Sequence, residues 1–285
     1  EMCIRDRDPE YATICGYTQE EFEEVFRDRL DGVNLEKVRH WYNGYSWLGE
    51  RVYNPFDVLL YLDKKLFRPY WFETGTPTFL IKLILQGKLS LAEFEKIEVG
   101  DEILESFDVD RIYPQTLLFQ TGYLTIVSKK KRGYMDKYVL SWPNLEVRVS
   151  FSNYMLTTFT DIVEKERNLD ELYEALEGAN FGRLETGLRS IFASIPHDWF
   201  RKNNISEYEG FYASVLYSYM SALGLDVRAE DVTSRGRIDL AVSFDNKCYI
   251  FEFKVVEDKG KGEALKQLKE KNYHEKYMHT CDEIY

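Results

Sequence analysis

The sequence predicts a mixed α/β protein, and three observations carry that expectation. Helix-capping signals recur up to about Gly100. A short helix and a basic hairpin follow between Asp101 and about Asn153. From Ser206 onward the order reads helix, three β-rich stretches, helix. The chain has 285 residues, enough for about two domains. Hydrophobic residues make up 44% and charged residues 30%, a mixture that excludes wholesale disorder. The formal charge of −12 excludes a protein that grips nucleic acid by bulk positive charge, while leaving room for a local basic channel.

The first helix opens on a capping box, Thr18 with Glu21, and continues through Phe22, Val25, Phe26 and Leu30 at helical spacing. A second helix is expected over Leu35 to Tyr42. Asn43-Gly44, set among Trp41, Tyr42, Tyr45 and Trp47, reads as a turn within a packed aromatic core. Asn54 caps a helix with Pro55 at its first position, and Thr76 with Pro77 repeats the device for a helix ending at Gly87. Pro114 to Phe119 is a short helix. Tyr123 to Ser128 and Lys137 to Ser141 form a hairpin around Lys129-Lys130-Lys131-Arg132-Gly133, whose tip is either a solvated turn or a phosphate contact. Val149 to about Ile195 is helical in two or three pieces. Ser206 to Leu223 is a helix with Phe211, Val215, Leu216, Tyr219 and Leu223 on one side. Strands at Leu225 to Val232, Arg237 to Phe244 and Cys248 to Val256 precede a helix from about Gly262 to Tyr277.

Cys3, Cys15, Cys248 and Cys281 form no CxxC pair and read as free thiols in a reducing compartment. The longest apolar run, Thr78 to Leu85, is interrupted by Lys82 and falls short of the ~18 residues that span a bilayer. With no signal peptide at the start, a cytoplasmic location is expected. Glu1-Met2-Cys3-Ile4-Arg5-Asp6 resembles a translated sequencing adapter, and Asp282 to Tyr285 reads as the opening of a strand; both ends suggest a fragment.

The chemistry concentrates in the last part. Asp245-Asn246 between two β-branched runs suits a two-residue hairpin turn. That turn sets Phe244 opposite Lys247 and Asp239 opposite Glu252, with Cβ atoms about 5 Å apart. Lys254 emerges on the same face. Two carboxylates at that separation repel by ~3 kcal/mol at an effective dielectric of 20. Lys254 offsets part of the repulsion, and a Mg²⁺ or Mn²⁺ ion held by Asp239 and Glu252 would offset more. Such an ion can acidify a water for phosphodiester hydrolysis, with Lys254 positioning that water or offsetting developing charge. Glu209, in the first turn of the Ser206 helix, is a third candidate metal ligand or a helix-dipole acid. Gln267 is a candidate for holding a phosphate or the attacking water, or an exposed polar residue. Lys259, Lys261, Lys266, Lys269 and Lys271 form either a phosphate-facing strip or, with Glu263 and Glu270 between them, a solvated face. His40, His197, His274 and His279 have no partners at catalytic spacing.

Gly236-Arg237-Ile238-Asp239-Leu240, then Glu252-Phe253-Lys254, then Ala264-Leu265-Lys266-Gln267 resembles the PD-(D/E)XK nuclease superfamily. The nearest likeness is to the nuclease domain at the end of AAA-ATPase-like proteins, in which Glu230 also matches an acid with a supporting role. Tyr42-Asn43-Gly44-Tyr45, Val52-Tyr53-Asn54-Pro55, Tyr70 to Pro77, Phe119 to Leu124 and Pro143 to Val147 look like signatures of the same family.

The resemblance implies a helical C-terminal part of an AAA-like domain over 8–100. A connecting, winged-helix-like and helical region over 101–195 follows, then an α-β-β-β-α restriction-endonuclease-like domain over 196–285. It implies Asp239, Glu252, Lys254 and Gln267 as catalytic residues, Mg²⁺ or Mn²⁺ as cofactor, and nucleic acid, foremost DNA, as partner, with a protein partner also open. No phosphate loop is present, since Gly87-Lys88-Leu89-Ser90 lacks the preceding glycine, so ATP is expected only in a longer parent. The expected function is a Mg²⁺-dependent nuclease coupled to that ATPase. The alternatives are a non-catalytic module binding nucleic acid or protein, and a pure ATPase switch.

Overall fold

The computed structural model describes residues 11–72, 78–86, 89, 91–105, 113–195, 209–234, 236–254 and 263–285. The architecture is mixed α/β, with eleven α-helices and nine strands in three sheets among these residues. The chain divides into two compact units, Glu1–Lys88 with Phe94–Phe151, and Leu89–Glu93 with Ser152–Tyr285. The second boundary falls inside one helix, within the stretch that the sequence suggests as a connecting region.

In the first unit the Thr18 and Asn54 caps act where the sequence places them. Helix α1 spans Gln19–Val25 behind the Thr18 and Glu21 capping box. It is shorter than the apolar spacing suggests: Val25 is 61% exposed, and a 3₁₀ turn, Arg27–Arg29, follows. Helix α2 spans Leu35–Tyr42, its N-terminus capped by the Asn34 side chain. Strands β1 (Asn43–Tyr45) and β2 (Val52–Tyr53) then pair antiparallel. Helix α3 spans Pro55–Lys64, with Asn54 accepting from the Phe56 N–H. Phe22, Val38, Tyr42, Tyr53, Val58, Tyr61, Leu62 and Tyr70 form one core. Phe22 stacks on Tyr53 at 4.7 Å between ring centroids. The Tyr42 hydroxyl donates to the Arg68 carbonyl and accepts from its N–H, both at 3.0 Å.

Asn43-Gly44 is therefore strand, not turn. Gly44 has φ +148, and a Cβ on it would lie 1.7 Å from the Pro143 carbonyl oxygen. The backbones meet so closely that only hydrogen fits there. Gly44→Ala is expected to cost more than about 3 kcal/mol, because the obstacle is backbone and cannot swing away. Scanning calorimetry of the variant checks this; an unchanged melting temperature would contradict the close approach.

Helix α4 spans Thr78–Gln86; the expected cap Thr76, Gly75 and the stop Gly87 lie outside the described residues. Strand β3 (Ile97–Gly100) leads into the short helix α5 (Asp101–Glu105), and helix α6 spans Pro114–Gln120. Strands β4 (Thr125–Arg132) and β5 (Met135–Ser141) form the expected hairpin, and the sheet order is β3-β5-β4. The hairpin is longer than expected. Lys129 to Arg132 belong to the ladder, and the turn is Gly133-Tyr134, with Gly133 at φ +65. The sheet is tied to the aromatic core by Thr125, whose hydroxyl accepts from the Ser46 N–H at 2.7 Å and donates to its carbonyl at 2.8 Å.

The helical stretch resolves into three helices: α7 (Leu145–Phe159), α8 (Ile162–Glu177) and α9 (Phe181–Ser194). Asp161 and Asn180 cap the last two. In the second unit, helix α10 spans Glu209–Ala222 and packs on strands β6 (Asp226–Thr233) and β7 (Gly236–Phe244). Residues 206–208, the expected start of α10, lie outside the described residues. Strand β8 (Lys247–Phe251), helix α11 (Glu263–Lys271), a 3₁₀ turn (Tyr273–Lys276) and strand β9 (Glu283–Ile284) complete the chain. The sheet order is β6-β7-β8-β9, antiparallel except for the parallel pair β8-β9. Asn272, at φ +48, ends α11 where one continuous helix to Tyr277 was expected. Ala241 and Cys248 pack with Tyr273 and Tyr277 on the sheet, while the Tyr249 hydroxyl donates to the Leu176 carbonyl at 2.6 Å. Among the described residues no helix is long and apolar enough to cross a membrane.

Candidate active site

The β7–β8 hairpin places the chemistry. Asp245 takes φ +52 in the two-residue turn, a conformation that Asp tolerates. Phe244 pairs with Lys247, and the same register runs to Leu240 opposite Phe251. Asp239 and Glu252 are the next residues on the two strands. The regular ladder stops at Phe251, short of the expected strand end at Val256; residues 255–262 lie outside the described residues. The reason is local. The Phe253 N–H donates to Asp239 Oδ2 at 2.8 Å, so a side chain takes the amide that a strand would give to its neighbour.

Glu252 is the electrostatic centre. Burial, and then the negative charge of Asp239, push its carboxyl up to about 7. Lys254, a hydrogen bond from the Asp239 backbone and another from Gln267 pull in the opposite direction. The Gln267 amide donates to Glu252 Oε1. Glu252 Oε2 is buried and has no hydrogen-bond partner among the described residues. A buried carboxylate oxygen left open beside a second carboxylate is a position that a hard cation fits. Asp239 and Glu252 therefore have the donor chemistry for Mg²⁺ or Mn²⁺. Among the described residues no three His, Cys, Asp or Glu side chains form a ready-made metal group, and the Glu209 side chain lies outside them, although Glu209 opens α10.

The structure thus brings Asp239, Glu252 and Gln267 together, with Lys254 close enough to act on Glu252 through its charge. Gln267 reaches Glu252 through one of its two N–H donors, a contact that the sequence does not suggest. Lys254 is exposed. Glu230 lies on β6 between the pairs Ala229–Leu240 and Asp231–Ile238, in a left-handed conformation at φ +53, and pairs with Arg237. Lys266 pairs with Glu270 at 3.7 Å, which fits a solvated face, and Lys259 and Lys261 lie outside the described residues.

Sequence reasoning missed the supports. Tyr273 donates its hydroxyl to the Arg237 carbonyl at 3.0 Å, while Lys276 and Tyr277 both bind Asp231. These contacts fix the segment after α11 against β6 and β7. They join residues more than thirty positions apart and carry no local signal; only the run of aromatic and basic residues after Asn272 hinted at a docked segment.

Residues 207–285 match the PD-(D/E)XK nuclease superfamily. The chain is 48% identical over 279 residues to an uncharacterized protein in the vnfD 5′ region of Azotobacter chroococcum mcd 1. That alignment covers 98% of this chain and 54% of the other protein, so the chain spans about half the length of the curated relative it matches. No solved structure matches.

Proposed function

We propose that residues 207–285, a PD-(D/E)XK nuclease superfamily domain, hydrolyse phosphodiester bonds in nucleic acid with a divalent cation held by Asp239 and Glu252. The observation that carries this reading is the buried, unpartnered Glu252 Oε2 beside Asp239. When bound, Mg²⁺ or Mn²⁺ would supply charge neutralisation for the phosphate and a water of lowered pKa.

The residues of the chain prepare that position. Gln267 fixes one oxygen of Glu252 and leaves the other open. The Phe253 amide orients Asp239. Lys254 lies at the exposed rim, where it offsets charge on the scissile phosphate or positions the attacking water. Glu209, at the start of α10, is proposed as a further ligand, direct or through water. The ATP-dependent coupling, and any protein partner, are proposed for a longer protein; the likeness of the aromatic motifs of the first unit to those of AAA-ATPase-like proteins supports that part of the reading.

Plasmid, single-stranded DNA and RNA incubated with the protein and Mg²⁺ or Mn²⁺ test this. Cleavage is expected with either metal, and EDTA or Asp239→Asn should abolish it. Nucleic-acid binding without cleavage under any of these metals would select the non-catalytic module instead. Cleavage that continues unchanged in EDTA would remove the metal from the mechanism.

A further inference from the structure

The β4–β5 hairpin is the strongest concentration of positive charge that the proposed site leaves unused. Over 129–137 it carries Lys129, Lys130, Lys131, Arg132 and Lys137 against one carboxylate, Asp136, in a chain of net charge −12. Strand β3 pairs with β5 only as far as Gly100 opposite Lys137. Beyond that pair the hairpin continues as a two-stranded ribbon. Every residue of β4 from Val127 to Arg132 is exposed. Tyr134, at the turn, is 90% exposed.

Part of this charge is balanced and part is not. Lys129 pairs with Asp136 at 2.7 Å, and Arg132 and Lys130 lie 3.2 and 4.0 Å from the single carboxylate of Glu98. Lys131 and Lys137 have no ion-pair partner among the described residues. Lys130 stands directly opposite Lys137 in the ladder. Like charges facing each other across two strands destabilise a hairpin unless an anion joins them. A ribbon of two strands also has the width that the B-DNA major groove accepts, about 12 Å, whereas the A-form major groove of RNA is too narrow for it.

We propose that the β4–β5 ribbon docks in the major groove of duplex DNA, with Lys130, Lys131, Arg132 and Lys137 on backbone phosphates and Tyr134 against sugars and base edges. This deepens the nuclease reading by naming duplex DNA as the polymer held, and it rests on that reading for its biological use alone. The contacts to phosphate position the duplex and carry no sequence preference.

The test is fluorescence anisotropy of a labelled DNA duplex in EDTA, with the Glu252→Gln protein so that no strand is cut. Replacing Lys130, Lys131 and Lys137 together by Ser is expected to weaken binding by about tenfold or more and to lower the slope of log affinity against log salt by about 2 to 3. Lys131→Ser alone should lower that slope by about 1. Lys130 and Lys131 are exposed and Lys137 is half-buried, so calorimetry of the variant checks that the fold is kept. Unchanged affinity and slope in the triple variant would overturn the proposal. So would an RNA duplex bound as tightly and weakened equally. If cleavage is never found but ribbon-dependent DNA binding is, the nuclease reading falls and this one stands; cleavage with ribbon variants binding normally gives the reverse.

Discussion

Glu252→Gln is expected to lower cleavage by a thousandfold or more while making the metal-free protein more stable at pH 8. Both effects follow from one atom pair. Loss of the anionic oxygen would remove one of the carboxylates proposed to hold the cation, and metal stabilisation of phosphoryl charge is worth several kcal/mol, of which ~4 corresponds to a thousandfold in rate. The stability effect has the opposite sign. The Glu252 carboxyl titrates near 7 in the folded protein, well above an unfolded glutamate at about 4.3. Between those values the folded state holds the proton more tightly, so the contribution to stability is full below about pH 4 and is lost as pH rises through about 7. Glutamine has no such loss. The side chain is partly open to solvent, which reduces the effect to about 1–2 kcal/mol at pH 8. Calorimetry in EDTA should show the variant melting above the wild type at pH 8 and the two converging near pH 4. Added Mg²⁺ should raise the melting temperature of the wild type at pH 8 and leave the variant unmoved. A variant that cleaves normally, or that follows the wild type at every pH, would mean that Glu252 carries no open charge.

Glu146→Ala is expected to destabilise the first unit by about 3 kcal/mol, because it leaves a buried acid and a buried amide without partners. Asp57, on α3, and Glu146, at the start of α7, have no exposed surface. Burial pushes the Asp57 carboxyl up to about 6, and the neighbouring Glu146 side chain pulls the other way, while neither Asp57 oxygen has a hydrogen-bond donor among the described residues. Glu146 also accepts the Trp71 N–H at 2.9 Å. Two buried acids this close are expected to retain one proton between them. Asp57→Asn keeps a donor toward Glu146 and should be much milder at pH 7. It should also flatten the pH dependence. Asp57 titrates above its unfolded value of about 3.9, so its stabilisation is full below about pH 4 and is lost as pH rises through about 6, a change of ~2–3 kcal/mol. This window overlaps that of Glu252, so the comparison is made in the Glu252→Gln background, where effects in separate units should add. Equal destabilisation by Glu146→Ala and Asp57→Asn would show that lost volume, not a shared proton, sets the cost.

The legible parts of the protein were those set by neighbours in sequence. Thr18 and Asn54 cap helices because a short side chain bonds an amide two or three residues on. The β7–β8 register was readable because a two-residue turn fixes every later pair. Where a second segment intervened, the reading failed. Asn43-Gly44 has the composition of a turn, but the Pro143 backbone presses against it and β2 pairs beside it. Lys129 to Arg132 look like a solvated tip, but cross-strand pairing with 135–138 continues through them.

The sequence by itself determined the mixed α/β class, the helix starts at Gln19, Leu35, Pro55 and Pro114, and the hairpin register that runs to Leu240 and Phe251, next to Asp239 and Glu252. Each depends on local geometry and on a period of two or 3.6 residues. Only the tertiary structure decided that the ladder yields to a carboxylate at Phe253, that Gln267 binds one oxygen of Glu252 and leaves the other open, and that Asp57 lies against Glu146. Those outcomes depend on exclusion of water by distant segments, and the charge state of a buried acid is a property of its surroundings rather than of its place in the chain.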